Sequence, residues 1–261
     1  AERTRDDALF LSVAAQWNHP QLVPIYQWFR KRLKVVHGDL NANAYTRGLL
    51  LSSQHFRDWV AGSLRKADTG VSRVLAEESN IRKEQLRFPN DMPAEMRDHL
   101  AEKFLREFKI EVRTTRRLPG TDEEMEWDLD QESEGTRRML ELLGPIYDVL
   151  QEGAVLIMDE LDTSLHSYIT REFARLFNDP ETNPRGAQLV FTTHDISLLD
   201  PTFLRRDQIW FTEKKASGRT ELYSLADFSP RKGEAILKGY LSGRYGAVPD
   251  LEAFGAVSTP G

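Results

Sequence analysis

The chain contains no cysteine, which excludes a disulfide framework and any thiolate metal site and is compatible with a reducing compartment. No uninterrupted apolar stretch approaches the roughly 20 residues that span a bilayer, and the opening AERTRDDALF has no apolar signal-peptide core. A cytoplasmic protein without a membrane partner is therefore expected. Basic charge is not in excess: 35 Lys and Arg stand against 41 Asp and Glu, for a net charge of −6. The surface as a whole is thus not built to coat nucleic acid. Internal repeats, low-complexity tracts, a long heptad pattern, an HNH pattern and a metal-spaced histidine cluster are also missing. The last three absences argue against a coiled-coil DNA tether and a nuclease centre within these residues. What is present is core material: 261 residues, 40% apolar, with 13 Phe and 5 Trp.

The first part of the chain reads as helical. Leu9, Val13 and Trp17, then Leu22, Ile25, Phe29 and Leu33, recur at helical spacing on either side of Pro20. The second of these helices carries Arg30, Lys31, Arg32 and Lys34, a cationic face that is either solvated or available to DNA or RNA. Residues 43–67 suggest another helix or pair, VSRVLAEE at 71–78 a strand, and 80–108 a charged helical stretch broken at Pro89 and Pro93. From about residue 109 the character changes. KIEVRTTRR and MEWDLDQ alternate apolar and polar residues around LPGTDEE, the pattern of a half-buried hairpin. Eight acids and no base lie from Asp122 to Glu134, a run expected to be solvated. A helix is expected from about Ser133 to Gln151, stopped by Gly153. Strands follow at 154–158, 187–192 and 208–212, with a hairpin partner at 219–225 and a last helix over 230–242. Alternating strands and helices predict an α/β fold with a largely parallel sheet. The expected division is a mainly helical subdomain over 1–108 and an α/β lobe over 109–261.

The chemistry concentrates at two strand ends. AVLIM at 154–158 does not alternate, which suits a strand covered on both faces, and it ends in Asp159 and Glu160. At the carboxyl edge of a parallel sheet two adjacent ionised acids need water, a cation or hydrogen bonds. A first carboxylate suits Mg²⁺, which takes oxygen ligands, and a second can orient or deprotonate a water. Acids in this position also serve as helix caps. AQLVFTTHD repeats the arrangement, with Thr192, Thr193, His194 and Asp195 ending an apolar run. If the two strands are parallel, His194 and Glu160 emerge at the same edge.

VLIMDELDTSLH resembles the Walker B strand and D-loop of ABC-type ATPases, and TTHD resembles their switch-histidine loop. ESEGTRRML, ahead of them, resembles a degenerate signature segment of the kind found in ABC-like AAA ATPases of bacterial anti-phage defence. Those proteins are related to the SMC, Rad50 and overcoming-lysogenization-defect ATPases. GAQLVFTTHDISLLD, LRRDQIWFTEK, TELYSLADF and GYLSGRYGAVP extend the likeness over roughly 125–250. The resemblance implies a P-loop NTPase sheet of ABC type with flanking helices, and ATP and Mg²⁺ as cofactors. It implies that Asp159 holds the metal and Glu160 acts on the attacking water, while His194 senses the γ-phosphate. Asp162 would sit at a dimer interface. Ser133, Gly135 and Thr136 would meet the nucleotide of an opposite subunit, in keeping with the anion affinity of a helix N-terminus. The implied partners are a second copy, or a higher oligomer, and a nuclease or Toprim-like effector. A non-hydrolysing scaffold or nucleic-acid-binding subunit, or a Rad50-like repair ATPase, are the competing readings.

Two departures qualify the likeness. Ser167 follows the D-loop histidine where relatives often carry proline, and either suits the first turn of a helix. More seriously, no GxxxxGK[ST] loop and no Gly-Lys pair occurs, so the backbone cradle and lysine for the β- and γ-phosphates are missing. The expectation is that these residues are the C-terminal portion of a longer polypeptide whose upstream segment carries that loop.

Overall fold

The computed structural model describes residues 5, 7–36, 40–80, 96, 108–118, 120–215, 217–230 and 235–249. The charged stretch expected to be helical over 80–108 lies almost entirely outside them. Contacts divide the chain after Thr193, into a unit of residues 1–193 and a unit of residues 194–261. Residue 108, where the helical subdomain is expected to give way to the α/β lobe, is the first residue of a strand that pairs with residues 73–80.

In the first unit, helices α1 (Phe10–Gln16) and α2 (Leu22–Arg32) flank the Pro20 break as expected. The end of the second periodic run differs: Leu33–Val36 forms strand β1. β-Branched Val35 and Val36 favour the pleated state, and β1 pairs in parallel with β5 (Val155–Met158), which pairs in parallel with β6 (Gln188–Phe191). Helices α3 (Leu40–Ser52) and α4 (Gln54–Lys66) follow β1, and Ser53 caps α4 by accepting from the Phe56 N–H at 3.1 Å. A second sheet is antiparallel, with β3 (Phe108–Arg117) between β2 (Arg73–Asn80) and β4 (Glu124–Asp128).

Helix α5 (Glu134–Glu152) follows β4 and supplies more residues to the core of this unit than any other element. Thr136, Met139, Leu140, Leu143, Ile146, Val149 and Leu150 are buried along one stripe, the spacing of an amphipathic helix. The helix ends because Gly153 adopts φ +64, and a Cβ there would lie 2.5 Å from the Arg185 carbonyl oxygen. Pro145 inside α5 has no N–H to offer the Glu141 carbonyl. The fully buried Thr46 of α3 supplies that donor, its hydroxyl reaching Glu141 O at 2.7 Å. Gly144 makes the approach feasible, since a Cβ there would lie 2.2 Å from Thr46 Oγ1.

The parallel sheet is covered differently from the expectation. Leu156 and Met158 of β5 turn into the core, and Val36, Leu189 and Phe191 pack on the same cluster. In register on the other face stand Val35, Ile157 and Val190, of which Val35 is 52% and Val190 54% exposed. Among the described residues one face is therefore open, and β6 pairs on one side alone. Helix α6 (Ser167–Asn178) leaves the segment after β5, capped by His166, whose Nδ1 accepts from the Tyr168 N–H at 3.2 Å.

The second unit is built on an antiparallel pair, β7 (Trp210–Lys214) and β8 (Thr220–Ser224), with the short helix α7 (Ile236–Leu241). Its core joins Ile209, Phe211, Leu225, Ile236 and Tyr245. Phe211 stacks on Tyr240 and Tyr245 at centroid distances of 5.5 and 6.1 Å.

Candidate nucleotide-hydrolysis site

The rim of the parallel sheet is held by one hydroxyl. Thr192, just past β6, donates its N–H to the Met158 carbonyl at 3.1 Å and accepts the Leu161 N–H on its own carbonyl at 3.0 Å. Its side chain does the rest: Oγ1 accepts from the Glu160 N–H at 2.8 Å and donates to Asp159 Oδ1 at 2.5 Å. Four bonds from one residue thus fix the chain as it leaves β5. Glu160 has φ +50, a left-handed conformation that costs a non-glycine residue roughly 1–2 kcal/mol, and the bonds from Thr192 and the buried Leu161 beside it hold the turn in place. The strained backbone directs two successive acids differently, with Asp159 toward Thr192 and Glu160 accepting the Thr163 hydroxyl at 3.2 Å.

Asp159 and Glu160 are both exposed, so neither carries the desolvation cost of a buried charge. The donor set at the rim, carboxylate and hydroxyl oxygens, is the hard-oxygen chemistry that Mg²⁺ accepts when waters and phosphates supply the remaining ligands. Among the described residues no group of three or more His, Asp and Glu side chains forms a closed metal site.

The segment after Glu160 packs on the start of α5. The Ser164 hydroxyl donates to Glu134 Oε1 at 2.5 Å, and a Cβ on Gly135 would stand 3.1 Å from the Ser164 carbonyl oxygen. Asp162 is half-buried in this segment, its carbonyl accepting the Leu165 N–H at 3.0 Å. Ser133 caps α5, with Oγ accepting the Thr136 N–H at 3.2 Å and lying 2.9 Å from Thr136 Oγ1. Ser133 is exposed and Thr136 buried. Ser133 and Thr136 also line a groove of about 490 Å³ with Asp68, Thr69, Arg116, Trp127 and Gln131.

The structure therefore brings Asp159, Glu160 and Thr192 together at the sheet rim, and Gly135 together with the segment that contains Asp162. His194 is the first residue of the second unit, two residues beyond Thr192 along the chain. Thr192 was visible in the sequence as part of TTHD, but its anchoring role was missed. A hydroxyl two residues ahead of the histidine, at the end of a strand parallel to one ending in two acids, was the available signal.

Four cations that could meet nucleic acid, Arg32 at the end of α2, Lys34 on β1, and Arg113 and Arg116 on β3, have partners within the chain. Arg113 donates to Glu77 at 2.7 Å and Glu126 at 2.5 Å, and Arg116 donates to Glu132 at 2.6 Å. Lys34 stands 3.9 Å from Asp148 and 3.6 Å from Glu152, while Arg32 donates to the Glu152 carbonyl at the end of α5. The acidic run from Asp122 to Glu134 is likewise not simply solvated. Glu124, Glu126 and Glu132 are the carboxylates that pair with Arg73, Arg113 and Arg116.

Residues 11–200 match the family described as "AAA domain, putative AbiEii toxin, Type IV TA system". With well over half of its length matched, the chain belongs to this family. A solved structure from work on ATP-driven dimerisation and DNA-stimulated activation of SMC ATPases is similar over 74% of this chain and 100% of its own length. The identity is 14% and the TM-score 0.39. No curated protein matches the chain. No helix among the described residues is long and apolar enough to cross a membrane.

Proposed function

We propose that these residues form the hydrolytic and dimerising part of an ABC-like ATPase. The observation that carries the reading is the Thr192 anchor, which presents Asp159 and Glu160 as two differently directed carboxylates at the carboxyl edge of a parallel sheet, where ligands of such sheets bind. Asp159 would hold Mg²⁺, which when bound neutralises phosphate charge as the phosphoryl group transfers. Glu160 would orient the attacking water and take its proton, and His194 would contact the γ-phosphate. Ser133, Gly135 and Thr136 would offer the N–H groups and hydroxyls at the start of α5 to a nucleotide held by a second copy, with Asp162 facing that copy. Two composite sites would then form when two chains meet head to tail, and catalysis would rest on positioning and charge.

The cradle and lysine for the β- and γ-phosphates would come from a segment other than these residues. The unpaired side of β6 and the apolar row Val35, Ile157 and Val190 give a strand and helix carrying such a loop a place to add, since both faces of parallel sheets are normally covered. Closure of the dimer around ATP would control an effector of nuclease or Toprim-like type in anti-phage defence. The AbiEii toxin in the family's description, a component of toxin–antitoxin systems, is compatible with that role. A nucleic-acid-binding scaffold is the weaker reading, because Arg113 and Arg116 are already neutralised by carboxylates.

The test is Glu160→Gln in the polypeptide that includes the phosphate loop. ATP binding is expected to persist while turnover stops, and the closed dimer should accumulate in sedimentation runs with ATP. Turnover at the original rate would remove Glu160 from the mechanism.

A further inference from the structure

Glu132 lies immediately before the cap of α5, and its side chain is 2% exposed. An ionised carboxylate tolerates that burial only with partners, and Glu132 has two from another element. The Thr114 hydroxyl of β3 donates to Oε1, and Arg116 of β3 donates to Oε2 at 2.6 Å. Arg116 is fixed in turn. Its guanidinium lies 5.0 Å from the centre of the Trp127 ring on β4 and donates to the Thr69 carbonyl at 3.3 Å. The residue in front of the helix tip is thereby tied to the antiparallel sheet and to the loop after α4.

These bonds are not needed to make α5 helical. Ser133 caps it, and its apolar stripe seats it in the core. The groove of about 490 Å³ in front of Ser133 leaves the tip without a packed wall on that side, and the contacts of Ser164 reach Glu134 and Gly135 rather than Ser133, so the exposed Ser133 is tied chiefly through Glu132, the residue ahead of it. A buried ion pair contributes little net stability because desolvation opposes it, but it holds geometry, and breaking one partner leaves a buried charge.

We propose that Glu132 is the positioning residue of the α5 tip: through Thr114 and Arg116 it holds Ser133 and Gly135 at a fixed place relative to β3. This rests on the proposed role of the tip in meeting a second copy's nucleotide. Glu132 itself touches no nucleotide. It acts through the backbone of Ser133.

The experiment compares wild type, Glu132→Gln, Arg116→Met and the double variant in the polypeptide that includes the phosphate loop. Amide exchange is read at Thr136 and Arg137, whose N–H groups donate to Ser133 Oγ and Ser133 O. Exchange there should rise about tenfold in either single variant, as expected for loss of a charge-assisted bond, with the middle of α5 and β3 unchanged. The double variant should be no worse than either single one. The ATP concentration for half-maximal dimer closure should rise about tenfold, while ATP binding by the single chain stays the same. Unchanged exchange at Thr136 and Arg137, or an equal rise throughout α5 and β3, would overturn the proposal. If wild type shows no closure with ATP, the ATPase reading fails and the exchange result still decides the positioning role. Should Glu132→Gln not fold, Arg116→Met is read in the same way.

Discussion

The sheet rim and the helix tip are held by opposite means. At the rim, Asp159 and Glu160 are fixed at close range: a left-handed backbone at Glu160, two hydrogen bonds from the Thr192 hydroxyl to the acids themselves, and two from the Thr192 backbone to Met158 and Leu161 on either side. At the tip, Ser133 is fixed from behind, by a buried carboxylate that reaches Thr114 and Arg116, 18 and 16 residues away. A rim of that kind is rigid on its own and suits chemistry that tolerates no misplacement. A tip tied to a neighbouring sheet through Glu132 takes its position from β3, while Ser164 joins Glu134 to the segment after β5.

Variants at the rim, in the core and in the second unit should differ in effect in a definite order. Glu160→Gln at the rim should lower ATP turnover most, by about a thousandfold, the scale of a lost general base, with binding retained in a nucleotide-titration assay. Thr192→Val keeps the shape but removes the hydroxyl that orients both acids, and steady-state kinetics should show a loss of about tenfold to a hundredfold in kcat. A stability variant away from both sites sharpens the contrast. Gly144→Val would press on Thr46 Oγ1 across the α3–α5 contact and should cost about 1–3 kcal/mol in denaturant unfolding. Thr46→Val, which orphans the Glu141 carbonyl beside Pro145, should cost a similar amount by the loss of one buried bond.

The smallest effect belongs to the second unit. Lys215, then the Tyr223 hydroxyl, hold the Glu213 carboxyl below its ordinary value. A depressed folded value means that this stabilisation is complete above about pH 4.3, the ordinary glutamate value, and is lost as pH falls through the lower folded one. Acid titration of the near-ultraviolet aromatic signal of the Phe211, Tyr223, Tyr240 and Tyr245 cluster should show it. Glu213→Gln should flatten the response without altering the rim.

What the sequence disclosed follows the same division. β5, β6, α5 and the acids at the rim were legible because each is written in consecutive residues: an apolar run, a cap, a glycine stop. β1 was not, because Leu33–Val36 continues a helical periodicity, and its strand state comes from pairing with β5 more than a hundred residues later. The open face of the sheet escaped for a related reason, since an apolar run such as Val155–Met158 reads the same whether one face is covered or both. Glu132 was hidden inside an acidic run that looked solvated; its burial depends on Thr114 and Arg116, which share a face of β3 only once the strand forms.

Mixing two inactive variants shows whether one hydrolytic site is built from two chains. Chains carrying Glu160→Gln and chains carrying Gly135→Arg, each in the full protein, should be inactive alone. Combined, they should regain ATP hydrolysis, because one composite site of the mixed dimer takes Glu160 from one chain and Gly135 from the other. Hydrolysis that stays absent on mixing, with mixed dimers demonstrably formed, would contradict a site shared between two copies.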